Sequence, residues 1–78
     1  MSTLTKNKNL KATSLWFSND MIFVRLEDGR EIGTPLEWYP KLRDATKKEL
    51  ENWRFIGKGV GLHWELIDED LSISGLLR

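Results

Sequence analysis

Cysteine is absent from this 78-residue chain, which removes disulfides, thiolate metal centres and a cysteine nucleophile together. Histidine occurs once, at His63, and no nucleophile-elbow motif accompanies it, so a triad built with Ser72 or Ser74 has no supporting signature. Net charge is missing too. Twelve basic residues cancel twelve acidic ones, and with them goes the long-range attraction to phosphate that dominates non-specific nucleic-acid binding. No apolar run approaches the roughly 20 residues of a membrane span, and Met1 to Lys11 hold no apolar stretch that would read as a signal peptide or anchor. These absences predict a cytoplasmic protein that is not an enzyme and carries no cofactor.

What is present is an aromatic-rich apolar set, 40% hydrophobic residues with four tryptophans. A chain this short cannot divide such a set between two cores. Each buried aromatic or branched side chain is worth roughly 1.5–3 kcal/mol, so convergence on one core is required and a large internal cavity is excluded. The division predicted is a basic, flexible N-terminal arm over residues 1–11, carrying Lys6, Lys8 and Lys11, followed by one domain over residues 12–78.

The domain begins with strand chemistry. Ala12 to Phe17 and Met21 to Leu26 favour strands, and Ser18-Asn19-Asp20 between them is turn chemistry. In the second strand the period of two places Ile22, Val24 and Leu26 on one face. After it, Asp28-Gly29 marks another turn. A loop of Glu27-Asp28-Gly29 pairs Val24 with Ile32 and Arg25 with Glu31, apolar with apolar and cation with anion, whereas a two-residue loop sets Arg25 against Ile32. The longer loop is therefore the prediction, with Gly29 in the left-handed position.

Short helices are predicted near residues 35–44 and 46–53. Thr34 can cap the first, with Pro35 at its first position and Glu37 completing a box, but Pro40 forces a break and restart. Thr46-Lys47-Lys48-Glu49 is a second capping box, opening a helix to about Trp53 with Leu50 and Trp53 on its inner face. Arg54-Phe55-Ile56 reads as a strand and Leu71-Ser72-Ile73 as another. Gly57-Lys58-Gly59-Val60-Gly61 matches neither the Walker nor the dinucleotide glycine pattern, so it reads as a bend between strands. Gly75-Leu76-Leu77 ends the chain on apolar residues that pack back onto the fold. The whole is an α+β domain with a small antiparallel sheet built on an N-terminal hairpin or meander and a C-terminal strand.

The segment HWELIDED, residues 63–70, draws attention as a site. His63 and Glu65 share a side of an extended strand, yet a metal asks for three or four ligands within about 2.0–2.6 Å of one ion. Asp68 and Asp70 can join only if the chain turns back, and Asp68-Glu69-Asp70 points successive carboxylates in opposed directions. The plainer reading makes His63 a half-buried strand residue and has Asp68 or Asp70 bonding backbone N–H groups in a turn. Trp16, Trp53 and Trp64 fall in regular elements and are core candidates. Trp38 and Tyr39, bracketed by prolines, are instead candidates for partner contact.

The stretches LEDGREIGTPLEWYPKLRDAT and NWRFIGKGVGLHWELIDEDLSISGLL resemble the domain-of-unknown-function 2442 family across most of the chain. That resemblance implies an α+β fold with a small antiparallel sheet and no established enzymatic activity. It also implies partners: some members are fused to helix-turn-helix domains, and some lie in small operons beside another short protein in a toxin–antitoxin-like arrangement. The expected function is a non-enzymatic protein-interaction module, the antitoxin-like or regulatory member of such a pair. Its contact surface would be Trp38, Tyr39, Glu65, Asp68, Glu69 and Asp70. The alternative is a nucleic-acid-binding or transcription-regulatory accessory protein using Lys6, Lys8 and Lys11, with Lys47 and Lys48. Exposed strand edges also make a homodimer compatible with the sequence.

Overall fold

The computed structural model describes residues 10–77. Its first sheet is an antiparallel meander of β1 (Ala12–Ser18), β2 (Met21–Leu26) and β3 (Glu31–Pro35), in the order β1-β2-β3. Asn19 and Asp20 adopt φ of 51° and 63° and connect the Ser18–Met21 pair, the left-handed two-residue loop whose twist matches that of the strands. Beyond β2 the register is the predicted one: Val24 opposes Ile32, Arg25 opposes Glu31 and the two charged side chains bond. Gly29 has φ 95°, and the Leu26 amide donates to the Arg30 carbonyl at 2.8 Å to close the loop. Ile22, Val24 and Leu26 are buried together.

A single 3-10 turn (Leu36–Trp38) follows, then α1 (Pro40–Arg43). The break at Pro40 is as expected, with Tyr39 outside helical dihedrals at φ −128°, ψ 90°. Thr34 does not cap. It lies within β3 opposite Ile22, 3% exposed, and Pro35 occupies the cap position of the turn without a side-chain bond; the strand ladder outcompetes local capping because it also buries the threonine methyl. The second capping box forms: Thr46 Oγ1 accepts from the Glu49 amide at 3.1 Å and Glu49 Oε1 accepts from the Thr46 amide at 2.8 Å. The helix it opens, α2 (Lys47–Glu51), ends before Trp53, which begins β4 (Trp53–Ile56) instead of sharing a helical face with Leu50. Opposite β4 lies β5 (Gly61–Trp64), and pairing with it is worth more to Trp53 than one further turn of a short helix.

A second antiparallel meander completes the fold. β4, β5 and β6 (Glu69–Ser72) lie in the order β4-β5-β6, and the last turn, α3 (Ile73–Leu76), is capped by Ser72 Oγ accepting from the Gly75 amide at 3.0 Å. Ile73 thus opens a helix where a strand was read, its side chain buried and its amide donating to the Val60 carbonyl at 2.9 Å. The glycine-rich bend between β4 and β5 holds three successive residues at positive φ, Gly57, Lys58 and Gly59. Gly59 is required there on two counts: its φ is 103°, and a Cβ would stand 2.8 Å from the Ala12 carbonyl oxygen.

Both sheets contribute to one core. Ile22, Val24 and Leu26 from the first meet Leu62 and Trp64 from the second, with Leu36, Leu42, Ile73 and Leu76 closing the cluster. The Trp64 indole N–H donates to the Leu50 carbonyl at 3.0 Å, so the one polar atom of the largest buried side chain is satisfied at the end of α2. Among the described residues, no helix is long and apolar enough to cross a membrane.

Candidate functional site

Trp38 is 66% exposed, the most exposed large apolar side chain among the described residues. Its neighbours are not. Leu36 and Leu42 are buried on either side of it, Pro35 and Pro40 fix the entering and restarting dihedrals, and Tyr39 packs half-buried against the core. The segment is therefore pinned from below while the indole stands in solvent. Lys41 Nζ donates to the Asp68 carbonyl at 3.1 Å, tying the start of α1 to the turn between β5 and β6. Burial raises the Tyr39 hydroxyl pKa above the ordinary phenol value, and the nearby negative charge of Glu69 adds to the effect.

The acidic run is divided by the strand it occupies. Trp64 pairs with Glu69 and His63 with Asp70, so Glu69 shares the core-side face with Trp64 and is half-buried, while Asp70 turns to the outer face. Asp68 takes φ 51° in the four-residue turn that reverses the chain. That turn is what brings Asp70 back to His63. The turn also exposes Leu66, by 51%. Of the six residues expected at a partner surface, Tyr39, Asp68 and Glu69 are thus gathered around the α1 segment, whereas Glu65 and Asp70 gather around His63.

On the outer face of the second sheet Arg54, His63 and Asp70 stand in one cross-strand row. His63 Nδ1 is bonded to Asp70 Oδ1, His63 Nε2 lies 3.0 Å from Glu65 Oε1, and Arg54 reaches the same Glu65 oxygen at 3.5 Å. Asp70 therefore bonds the imidazole and not turn amides. Only the imidazolium can donate from both ring nitrogens at once. Accordingly the His63 pKa is raised, chiefly by the Asp70 hydrogen bond, against the opposing effect of desolvation, with Glu65 reinforcing it. With both nitrogens engaged by carboxylates, the ring is held as a clasp between β5 and β6. Among the described residues no group of three potential ligands is placed to hold a metal ion.

Among the described residues the basic side chains expected to bind nucleic acid do not form a comparable group. Lys6 and Lys8 lie outside the described residues. Lys11 is half-buried and its carbonyl accepts from the Glu27 amide at 2.9 Å. Lys47 and Lys48 are exposed on α2, interleaved with Glu49 and Glu51. What sequence reasoning missed is Arg54 as a member of the His63 row, and Leu66. The signal for the first lies in two turns: the one between Trp64 and Glu69 sets His63 opposite Asp70, and the glycine bend sets Arg54 opposite His63.

The model of a family described as "Protein of unknown function (DUF2442)" matches residues 12–78. Among solved structures, the chain is similar to a protein of unknown function from Rhodospirillum rubrum, at 31% identity and a TM-score of 0.77, covering 88% of this chain and 86% of that one. It also shares its fold with an uncharacterised protein from Chromobacterium violaceum, at 22% identity and a TM-score of 0.75, covering 96% of this chain and 71% of that one. A search of curated proteins finds no match.

Proposed function

The chain belongs to the DUF2442 family, and we propose that it acts as a small, non-enzymatic protein-interaction module, the antitoxin-like or regulatory half of a two-protein pair. The observation that carries this reading is Trp38, 66% exposed on a segment held rigid by Leu36, Leu42 and two prolines. A monomeric protein gains nothing in stability from such a ring, whereas a preorganised indole beside a half-buried tyrosine is the kind of anchor that dominates protein interfaces. Glu37, ion-paired with Arg43, and the Asp68–Glu69 turn, tied to Lys41, surround the anchor with a rim of mixed charge, which favours a partner with a polar rim.

The test is a pull-down of the tagged protein from extracts of its own cells at low and high salt, beside Trp38→Ala. That variant should keep its stability within about 0.5 kcal/mol, as expected for an exposed site. A partner held by the parent and bound at least tenfold more weakly by the folded variant supports the reading. Equal retention by both proteins refutes it, and co-purified nucleic acid that vanishes at high salt transfers the function to the lysines.

A further inference from the structure

Two meanders have four edge strands, β1, β3, β4 and β6. Edges expose unpaired N–H and C=O groups, and proteins ordinarily protect them with charge, proline or a covering segment. Three of these edges carry such protection: β3 has Glu31 and Pro35, β4 has Arg54, and β6 has Glu69 and Asp70. The fourth does not. β1, Ala-Thr-Ser-Leu-Trp-Phe-Ser, is the longest strand and has neither a charge nor a proline. Its first residue is shielded by the Gly59 turn, which approaches the Ala12 carbonyl, so the open portion runs from Ser14 to Ser18.

We propose that two copies of this chain pair along β1, antiparallel about a two-fold axis at Trp16, and so join their first sheets into one. The hydrogen-bond parity of the strand, together with the number of bonds each register makes, favours this one. The two-residue loop makes Ser18 and Met21 a hydrogen-bonded pair, so Trp16 and Ser14 also bond inward to β2, and Leu15 and Phe17 direct their backbone groups outward. Among the described residues neither Leu15 nor Phe17 has a strand partner on that outer side. Setting Leu15 of one copy against Phe17 of the other engages both outward residues of each strand, whereas an axis at Leu15 or at Phe17 would engage one within the open portion.

The side chains agree with that register. It sets leucine against phenylalanine, serine against serine and tryptophan against tryptophan, with no charge opposed to its like across the axis. On the inner face, Leu15 and Phe17 are only partly covered, and beside them a groove of about 380 Å³ runs between β1 and α2, lined also by Leu50 and Trp53. Leu15 and Phe17 of the second copy point to this same face and enter the groove. On the outer face Trp16 already stacks on Phe23, with ring centroids 5.7 Å apart and planes at 12°, and the axis extends that pair into a four-ring row. A net charge of zero adds no repulsion between copies. This surface is separate from Trp38, and the inference does not depend on the reading above.

Sedimentation equilibrium of the whole chain over a wide concentration range should show a mass rising toward twice that of the chain. Trp16→Lys, with folding checked by circular dichroism, should weaken association at least tenfold by setting two ammonium groups on the axis. Because the parent contains no cysteine, single-cysteine variants read the register directly. Residues opposed at a non-hydrogen-bonded position have Cα atoms about 4.5 Å apart, within the span of a disulfide, so Trp16→Cys should oxidise to a covalent dimer. Ser14→Cys should not, since its counterpart would lie four residues along, roughly 13 Å away. A chain monomeric at every concentration overturns the proposal, as does a dimer that survives Trp16→Lys while Trp16→Cys stays unlinked.

Discussion

The two sheets share one plan, three sequential antiparallel strands, and differ in what they turn outward. The first shows an aromatic row, Trp16 stacked on Phe23, beside the paired Arg25 and Glu31. The second shows an ionic row, Arg54, His63 and Asp70, with Glu65 bridging the first two. Inward they are alike, contributing branched aliphatics and Trp64 to the same cluster. Topology and core patterning thus leave the outer faces open to separate uses. One face is aromatic and the other is clasped by charge.

Tryptophan truncation sharpens this contrast most. Trp64→Ala removes a side chain that is fully buried and donates to the Leu50 carbonyl, and should cost about 3–5 kcal/mol in urea denaturation. Trp16→Ala, on the outer face, should cost about 1–2 kcal/mol through lost stacking and partial burial. Equal losses would mean that the outer aromatic row is as structural as the core. The junction between the sheets comes next. Gly59→Ala forces a side chain into φ 103° and against the Ala12 carbonyl, and should cost about 1–3 kcal/mol; no change would show that β1 and the glycine turn are not in register contact in solution.

The smallest effect is the pH dependence of the ionic row. A histidine whose folded pKa is raised stabilises fully below its unfolded value, about 6.5, and that contribution fades as pH climbs through the folded pKa. The melting temperature of the parent should therefore fall from about pH 6.5 upward more than that of Asp70→Asn, which loses the main cause of the shift. In an NMR titration of the lone histidine, Asp70→Asn should move the midpoint back toward the ordinary value. An unmoved midpoint would separate His63 from Asp70.

The first sheet was legible almost strand by strand, because local rules coincide there: turn residues at Asn19-Asp20 and Gly29, the apolar match of Val24 with Ile32, and opposite charges at Arg25 and Glu31 all require one register. Legibility fell where local and tertiary demands compete. Thr34 has good capping chemistry yet is taken by the ladder, and Trp53 continues a helical spacing yet belongs to β4. The same competition hid the ionic row, since Asp68-Glu69-Asp70 looks like a solvated run until a left-handed turn at Asp68 sends alternate carboxylates to opposite faces. Trp38 was read from its prolines alone, and burial of Leu36 and Leu42 supplies the reason its ring stands clear.

Strand order has a consequence for how the chain comes to its final state. In both sheets every strand pairs only with its immediate sequence neighbour, so each meander closes short loops at small entropic cost and should form quickly. The first is complete at Pro35, but apart from Leu36 the residues that cover it, Leu42, Leu62, Trp64, Ile73 and Leu76, come from the second half of the sequence. The face of Ile22, Val24 and Leu26 should therefore stay incompletely covered until the second meander joins it. The first meander alone would be a sheet with one sticky side, so the step that completes the fold should be the docking of the two meanders.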